Sequence, residues 1–343
     1  MSAAKTSRWS ALSQPLILAV VYFVATKLAV ALTELNSNAA AVWLPAGIGF
    51  AALVLHGLRL WPAVAIGAFL GVITPATGWQ AATLMMLANT LFAVAAVWLA
   101  TRWLDFSAGM HRVRDVVVLF IPVALGVSLL SAALGSLALI VAGWTTWVDV
   151  PTRAVLWWLG DAIGLVIVAP LLLAWRGAGE RMSVRDLVLL LPCATSILTF
   201  ALPAGHNWLH DLMVLAIFPI AVWCSLESSV RALALTNFFL AAVAVIGTTL
   251  GRGPFAGMPD VFGSIIQQGY VFSLALIMLV LGAARAQQRA TETELRTSET
   301  RFRNLLKLSS DWYWEQGPDL RFADISTDMD KKAVIGRSSH IGK

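Results

Sequence analysis

The sequence predicts an all-α polytopic membrane protein of about ten transmembrane helices, followed by a cytoplasmic coiled helix and a short, incomplete α+β segment. Three observations carry this. Over 343 residues the chain is 59% hydrophobic and only 13% charged, with a mean hydropathy of +0.78. The apolar residues fall in successive runs of roughly 16–25, the length that crosses a hydrocarbon core of ~30 Å. At Leu281 the chain turns abruptly polar and rich in helix formers.

Taken in order, the apolar runs lie near 14–33, 40–57, 60–75, 81–103, 115–142, 154–175, 186–204, 211–226, 230–250 and 262–284. The count falls to eight or nine if short runs such as 60–75 are tilted or re-entrant. The N-terminal run follows Lys5 and Arg8 but has no small-residue cleavage site, so it is expected to be an uncleaved first helix. With both termini cytoplasmic, the inner loops hold Lys5, Arg8, Arg59, Arg102, Arg112, Arg114, Arg176, Arg181, Arg185 and Arg231, and the outer loops only Arg153 and Arg252. That asymmetry in short loops is the signal that orients multi-pass proteins of a bacterial inner membrane. It also accounts for the net charge of +5 without nucleic acid as a partner.

The run 154–175 carries a single charge, Asp161. A carboxylate inside a span costs ~2.5–3.5 kcal/mol on insertion scales, so it must face the bundle interior, be paired or be protonated. Trp157, Asp161, Gly164 and Val168 share a helical face, and Gly160-x-x-x-Gly164 allows a second helix close approach beside the acid. Asp161 therefore reads either as a packing hydrogen-bond group or as the centre of a signal-sensing site. Lys27, in the outer half of the first run, is the other intramembrane charge, able to snorkel outward beside Glu34 or to pair with Asp161.

Trp43-Leu-Pro-Ala-Gly-Ile-Gly49 opens the second run. Pro45 with two glycines is expected to break the helix within the membrane, where freed backbone groups must be buried in protein or line a cavity. Asn89-Thr90 and Ser131–Gly135 add polar or small positions whose simplest role is helix packing. The candidate sensing residues are thus Asp161, Trp157, Trp158, Asn89, Trp43, Pro45 and Lys27. Trp79, Trp144, Trp147 and Trp208 fall at outer boundaries, where an aromatic belt is expected. Cys193 and Cys224 lack metal or disulfide spacing and read as small packing residues. His56, His111, His206, His210 and His340 form no ligand motif, and no catalytic elbow or His-Glu-x-x-His occurs. No metal, cofactor or catalytic residue is assigned.

Beyond the last run, Leu281, Gln288, Leu295 and Phe302 recur every seven residues, as do Ala284, Thr291, Ser298 and Leu305. This predicts a signalling helix over 285–307 that pairs with a second copy, continuing the last span into a homodimer seam weakened by its polar positions. Trp312–Glu315, a turn at Gly317-Pro318-Asp319 and Arg321–Ile325 predict a hairpin. About forty residues cannot bury a stable core alone.

WLPAGIGFAALVLHGLRLWPAVAIGAFLG (43–71), LANTL (87–91), Arg112-x-Arg114-Asp115, SAALGSLAL (131–139) and WWLGDAIGLVIVAPLLLAW (157–175) resemble the MASE type-one family, membrane-associated sensor domains that head bacterial histidine kinases and cyclic-di-GMP enzymes. One departure is Phe92, where the family often carries an acid. The stretch 298–326 resembles the beginning of a PAS domain, with its DWYWE strand and DLRF turn. The resemblance implies three parts: a sensor domain at 1–284, a linker helix at 285–307 and a truncated PAS-like segment at 308–343. It implies an input module whose kinase or cyclase output lies outside this chain, the chain itself being no enzyme. The alternative is a secondary transporter or small-molecule-binding membrane protein, which would use Asp161 and the broken helix as a substrate site but has no need of the helical tail.

Overall fold

The computed structural model describes residues 3–35, 42–175, 182–203, 208–256, 258, 260–308, 314–316, 318–319 and 321–325. Arg176, Arg181, His206, His340, Trp312 and the side chains of Lys5, Arg8 and Glu34 lie outside this description. The chain divides into two units, Met1–Gln287 and Gln288–Lys343.

The first unit is helical. Its elements are α1 (Ala3–Leu35), α2 (Leu44–His56), α3 (Trp61–Val72), α4 (Gly78–Trp98), α5 (Val113–Val118), α6 (Ser128–Val141), α7 (Val150–Ala174), α8 (Leu190–Ala201), α9 (Trp208–Glu227) and α10 (Val230–Thr249), with α11 (Asp260–Leu308) contributing to both units. A π-helical stretch, Leu119–Val127, joins α5 to α6 into one span, and another, Leu99–Trp103, extends α4. Pro122 lies in the first of these, where a missing backbone donor favours the wider turn.

Among the described residues eight helices are long and apolar enough to cross a bilayer, the lower end of the expected eight to ten. The runs near 40–57 and 60–75 are the short helices α2 and α3, separated by Gly57 at φ 94° and a tight 3₁₀ turn, Leu58–Leu60. Thirteen residues at ~1.5 Å rise give α2 about 20 Å, two thirds of a bilayer core. Both helices pack on neighbours: α2 on α7 and α4, and α3 on α1 and α4, with Trp61, Ile66 and Leu70 of α3 left on an exposed face. Pro45 does not break a helix either. It occupies the first turn of α2, where its missing N–H costs nothing, and the non-helical backbone lies just before it, at Trp43.

The core is organised around α7. Every residue from Gly160 to Pro170 is buried, the pattern of a helix that is apolar all round and enclosed by others. α2, α6, α10 and the π-helical stretch surround it. α1 shows the opposite distribution, with Leu16, Ile17, Val20 and Val24 exposed along an outward face as lipid contact requires.

Two carboxylates fasten the connections. Asp115, 1% exposed, accepts the Ser107 amide (3.0 Å) and a two-pronged contact from Arg112 (3.0 and 2.9 Å), the strong form of a charged hydrogen bond. That neighbour holds the Arg112 guanidinium above its ordinary pKa. Val113, on the same loop, donates its amide to Gln287 of α11 at 3.5 Å. Asp186 closes a capping box with Ser183 and accepts the Ser229 amide at 2.8 Å, tying the start of the α8 segment to that of α10. Asp115→Ala strands the Ser107 amide and removes both prongs of the Arg112 contact. It is expected to destabilise by about 1–3 kcal/mol. Asp105→Asn removes only exposed ion pairs at 3.5 Å and should stay within ~0.5 kcal/mol; thermal midpoints in detergent compare the two.

In the second unit, Leu295, Phe302 and Leu305 of α11 are exposed, and Gln288 donates to Glu292 one turn on. β1 (Trp314–Gln316) pairs antiparallel with β2 (Phe322–Ile325), Trp314 lying opposite Ile325.

Candidate functional site

The site is built from one close approach. Trp43 enters α2 with non-helical angles (φ −91°, ψ 83°) and its amide donates to the carbonyl of Gly160 at 3.0 Å. A Cβ on Gly164 would overlap the Trp43 carbonyl; one on Gly47 would sit 2.5 Å from the Gly164 oxygen and 2.6 Å from Val168 Cβ. The Gly160-x-x-x-Gly164 groove therefore receives the backbone leading into α2, and Gly47 continues the contact one turn further.

That seating carries the Trp43 ring to α4. Its indole N–H donates to Asn89 Oδ1 at 2.7 Å, and the Tyr22 hydroxyl of α1 donates to the same oxygen at 3.2 Å. Asn89 Nδ2 donates back to the Met85 carbonyl at 2.8 Å, so one buried amide joins three helices with its polar atoms in use. On the other side Trp157 donates to Ser131 Oγ at 3.2 Å, its ring laid against Gly135 of α6, where a Cβ would collide with the indole. The Trp43 and Trp157 rings stand 6.5 Å apart at 32°.

Between these walls lies a cavity of about 400 Å³, within the range of ~300–1,000 Å³ usual for small-molecule sites. It is lined by Lys27, Trp43, Asn89, Trp157 and Asp161, five of the seven predicted residues. Trp158 turns away, donating to the Leu125 carbonyl of the π-helical stretch at 2.7 Å, and Pro45 is buried in α2. Asp161 is 2% exposed, and its Oδ2 has no hydrogen-bond partner among the described residues. Lys27 lies on the same cavity without a salt bridge to Asp161; its ammonium is 5.9 Å from the Phe23 ring.

The sequence reading missed Arg153, Thr74, Thr77 and the second role of Trp144, all of which line the cavity. Arg153 had a signal: Arg153, Trp157 and Asp161 are spaced i, i+4, i+8 and so share one stripe of α7. The threonines come from the turn between α3 and α4, and no periodicity marks them.

A multi-pass bundle enclosing a small aromatic and polar chamber is the architecture of a membrane receptor or carrier. The chain belongs to the MASE1 family of membrane sensor domains, whose family model matches residues 14–289. It is also similar to a probable diguanylate cyclase, DgcE, of Escherichia coli (strain K12), 26% identical over 317 residues. That alignment covers 88% of this chain and 27% of the relative, so the chain spans about a quarter of that protein's length. No solved structure matches.

Proposed function

We propose that this protein is the sensory input module of a bacterial inner-membrane signalling protein, both termini cytoplasmic, that detects a small molecule in the chamber around Asp161. Membership of a membrane sensor family supplies the general function. The observation that carries the rest is a partly open cavity with one buried carboxylate oxygen left without a partner among the described residues, a costly arrangement unless a ligand completes it. Occupancy would favour one of two arrangements of α2 on α7 and so bias the end of α11, because a ligand shifts an equilibrium only by its differential affinity for the two states.

In this reading residues 285–307 form the signalling helix, paired with a second copy through Leu295, Phe302 and Leu305, three exposed apolar side chains consistent with a heptad seam. The strands that follow begin a PAS-like segment. Catalysis belongs to an output module, a diguanylate cyclase of the kind the Escherichia coli relative's name describes or a kinase. The orientation rests on the inner-loop bias of arginine and lysine.

The test fuses the chain to a diguanylate cyclase and follows cyclic-di-GMP in cells. Asp161→Asn is expected to insert normally and to change the output several-fold. If the variant matched wild type across the growth conditions and solutes that move the output, Asp161 would be a packing residue and the sensing site would lie elsewhere.

A further inference from the structure

The cavity is lined by one buried acid and two exposed bases. Asp161 supplies a buried, unpartnered carboxylate oxygen at one end. Arg153 lies eight residues earlier on α7, about 12 Å along the helix axis at 1.5 Å per residue. It is exposed, as is Lys27, and neither makes a salt bridge among the described residues. Trp157 lies midway along that stripe, four residues from Arg153 and four from Asp161, and its ring stands 6.5 Å from that of Trp43 on the same cavity. A carboxylate oxygen in an enclosed site is satisfied by a donor, best of all a cationic one. Two exposed bases outside any salt bridge among the described residues take an anionic group, and indole faces cover an apolar body and add cation–π attraction.

From this arrangement we infer that the chamber takes a small zwitterion whose ammonium meets Asp161, whose apolar or aromatic body lies against Trp43 and Trp157, and whose acid group meets Arg153 and Lys27. The inference rests on the reading that this chamber is the sensing site. A separated ammonium and acid occur both in free ω-amino acids and in the head group of phosphatidylethanolamine, so the chemistry is shared by a soluble and a lipid source.

The test uses the full chain in nanodiscs of phosphatidylglycerol alone, titrated calorimetrically with 4-(aminomethyl)benzoate, benzylamine and benzoate. The zwitterion is expected to bind tightest, benzylamine about ten-fold more weakly and benzoate not at all. Asp161→Asn should weaken both amines by at least about ten-fold, and Asp161→Glu should restore part of that loss. Arg153→Gln should weaken the zwitterion while leaving benzylamine unchanged. If Asp161→Asn fails to fold, the Glu and Arg153 variants carry the test. Phosphatidylethanolamine in the discs that competes with the probe identifies a head group as the occupant; without competition the occupant is a free solute, and either result upholds the charge arrangement. Benzoate binding as tightly as the zwitterion, amine binding that ignores Asp161, or no probe binding in phosphatidylglycerol discs would overturn the inference. If these probes fail while Asp161→Asn still changes the output of the cyclase fusion, the zwitterion falls and the sensing site stands.

Discussion

Gly164→Ala is expected to destabilise the bundle by about 3 kcal/mol or more, at or above the upper end of what overpacking a core usually costs. The added methyl has no flexible side chain to push aside. It would meet the carbonyl carbon of Trp43 at 2.5 Å and its Cα at 3.2 Å. That backbone is held by its own amide on Gly160 and by the indole on Asn89, so relief requires α2 to move off α7. A suitable control is Gly269→Ala in α11, where a Cβ meets nothing within 4 Å and helix propensity alone would gain up to ~1 kcal/mol. Thermal unfolding of the purified chain separates the two. Equal midpoints for both variants would mean that the α2–α7 crossing is more compliant than the geometry requires.

The second large effect is at Asn89. Replacing it with leucine keeps most of the volume but removes the acceptor shared by the Trp43 indole and the Tyr22 hydroxyl, along with its own bond to Met85. Interhelical hydrogen bonds in membranes average ~0.6 kcal/mol and reach ~1.7. Two stranded donors therefore predict a loss of about 2 kcal/mol. Trp43→Phe and Tyr22→Phe should each remove part of that loss in an Asn89→Leu background, because the stranded donor goes with them. A double-mutant cycle that came out additive would show that the three groups do not act as a network.

The long spans and the burial of Asp161 were legible because a bilayer forces long apolar runs and makes a lone acid conspicuous. The small-residue groove at Gly160 and Gly164 was equally readable, since an i, i+4 pair of glycines leaves a furrow on one helical face. What composition could not separate was a spanning helix from a short one enclosed by neighbours. The run around Leu44–His56 is apolar because other helices surround most of it, the run around Trp61–Val72 divides its apolar surface between its neighbours and an exposed face, and the Gly57 turn between them is invisible to a hydropathy count. Pro45 was misread for a related reason: a proline interrupts a helix or begins one according to where the first turn falls, and that depended on the seating of Trp43 against α7. Thr74 and Thr77 belong to a turn and reach the cavity only through the packing of α3 and α4.

At Trp43, Gly160 and Gly164, α2 meets α7 through carbonyls, amides and glycine, so the spacing there is set by backbone rather than by the side chains that line the cavity. Trp43, Trp157, Arg153 and Asp161 belong to that frame, and with Lys27 of α1 and Asn89 of α4 they line the cavity. Substitutions at Lys27, Arg153 and Asp161, whose side chains the crossing does not use, can exchange one chemical preference for another while the frame stays as it is, so a lineage of such proteins could change what it detects without having to reinvent how it folds.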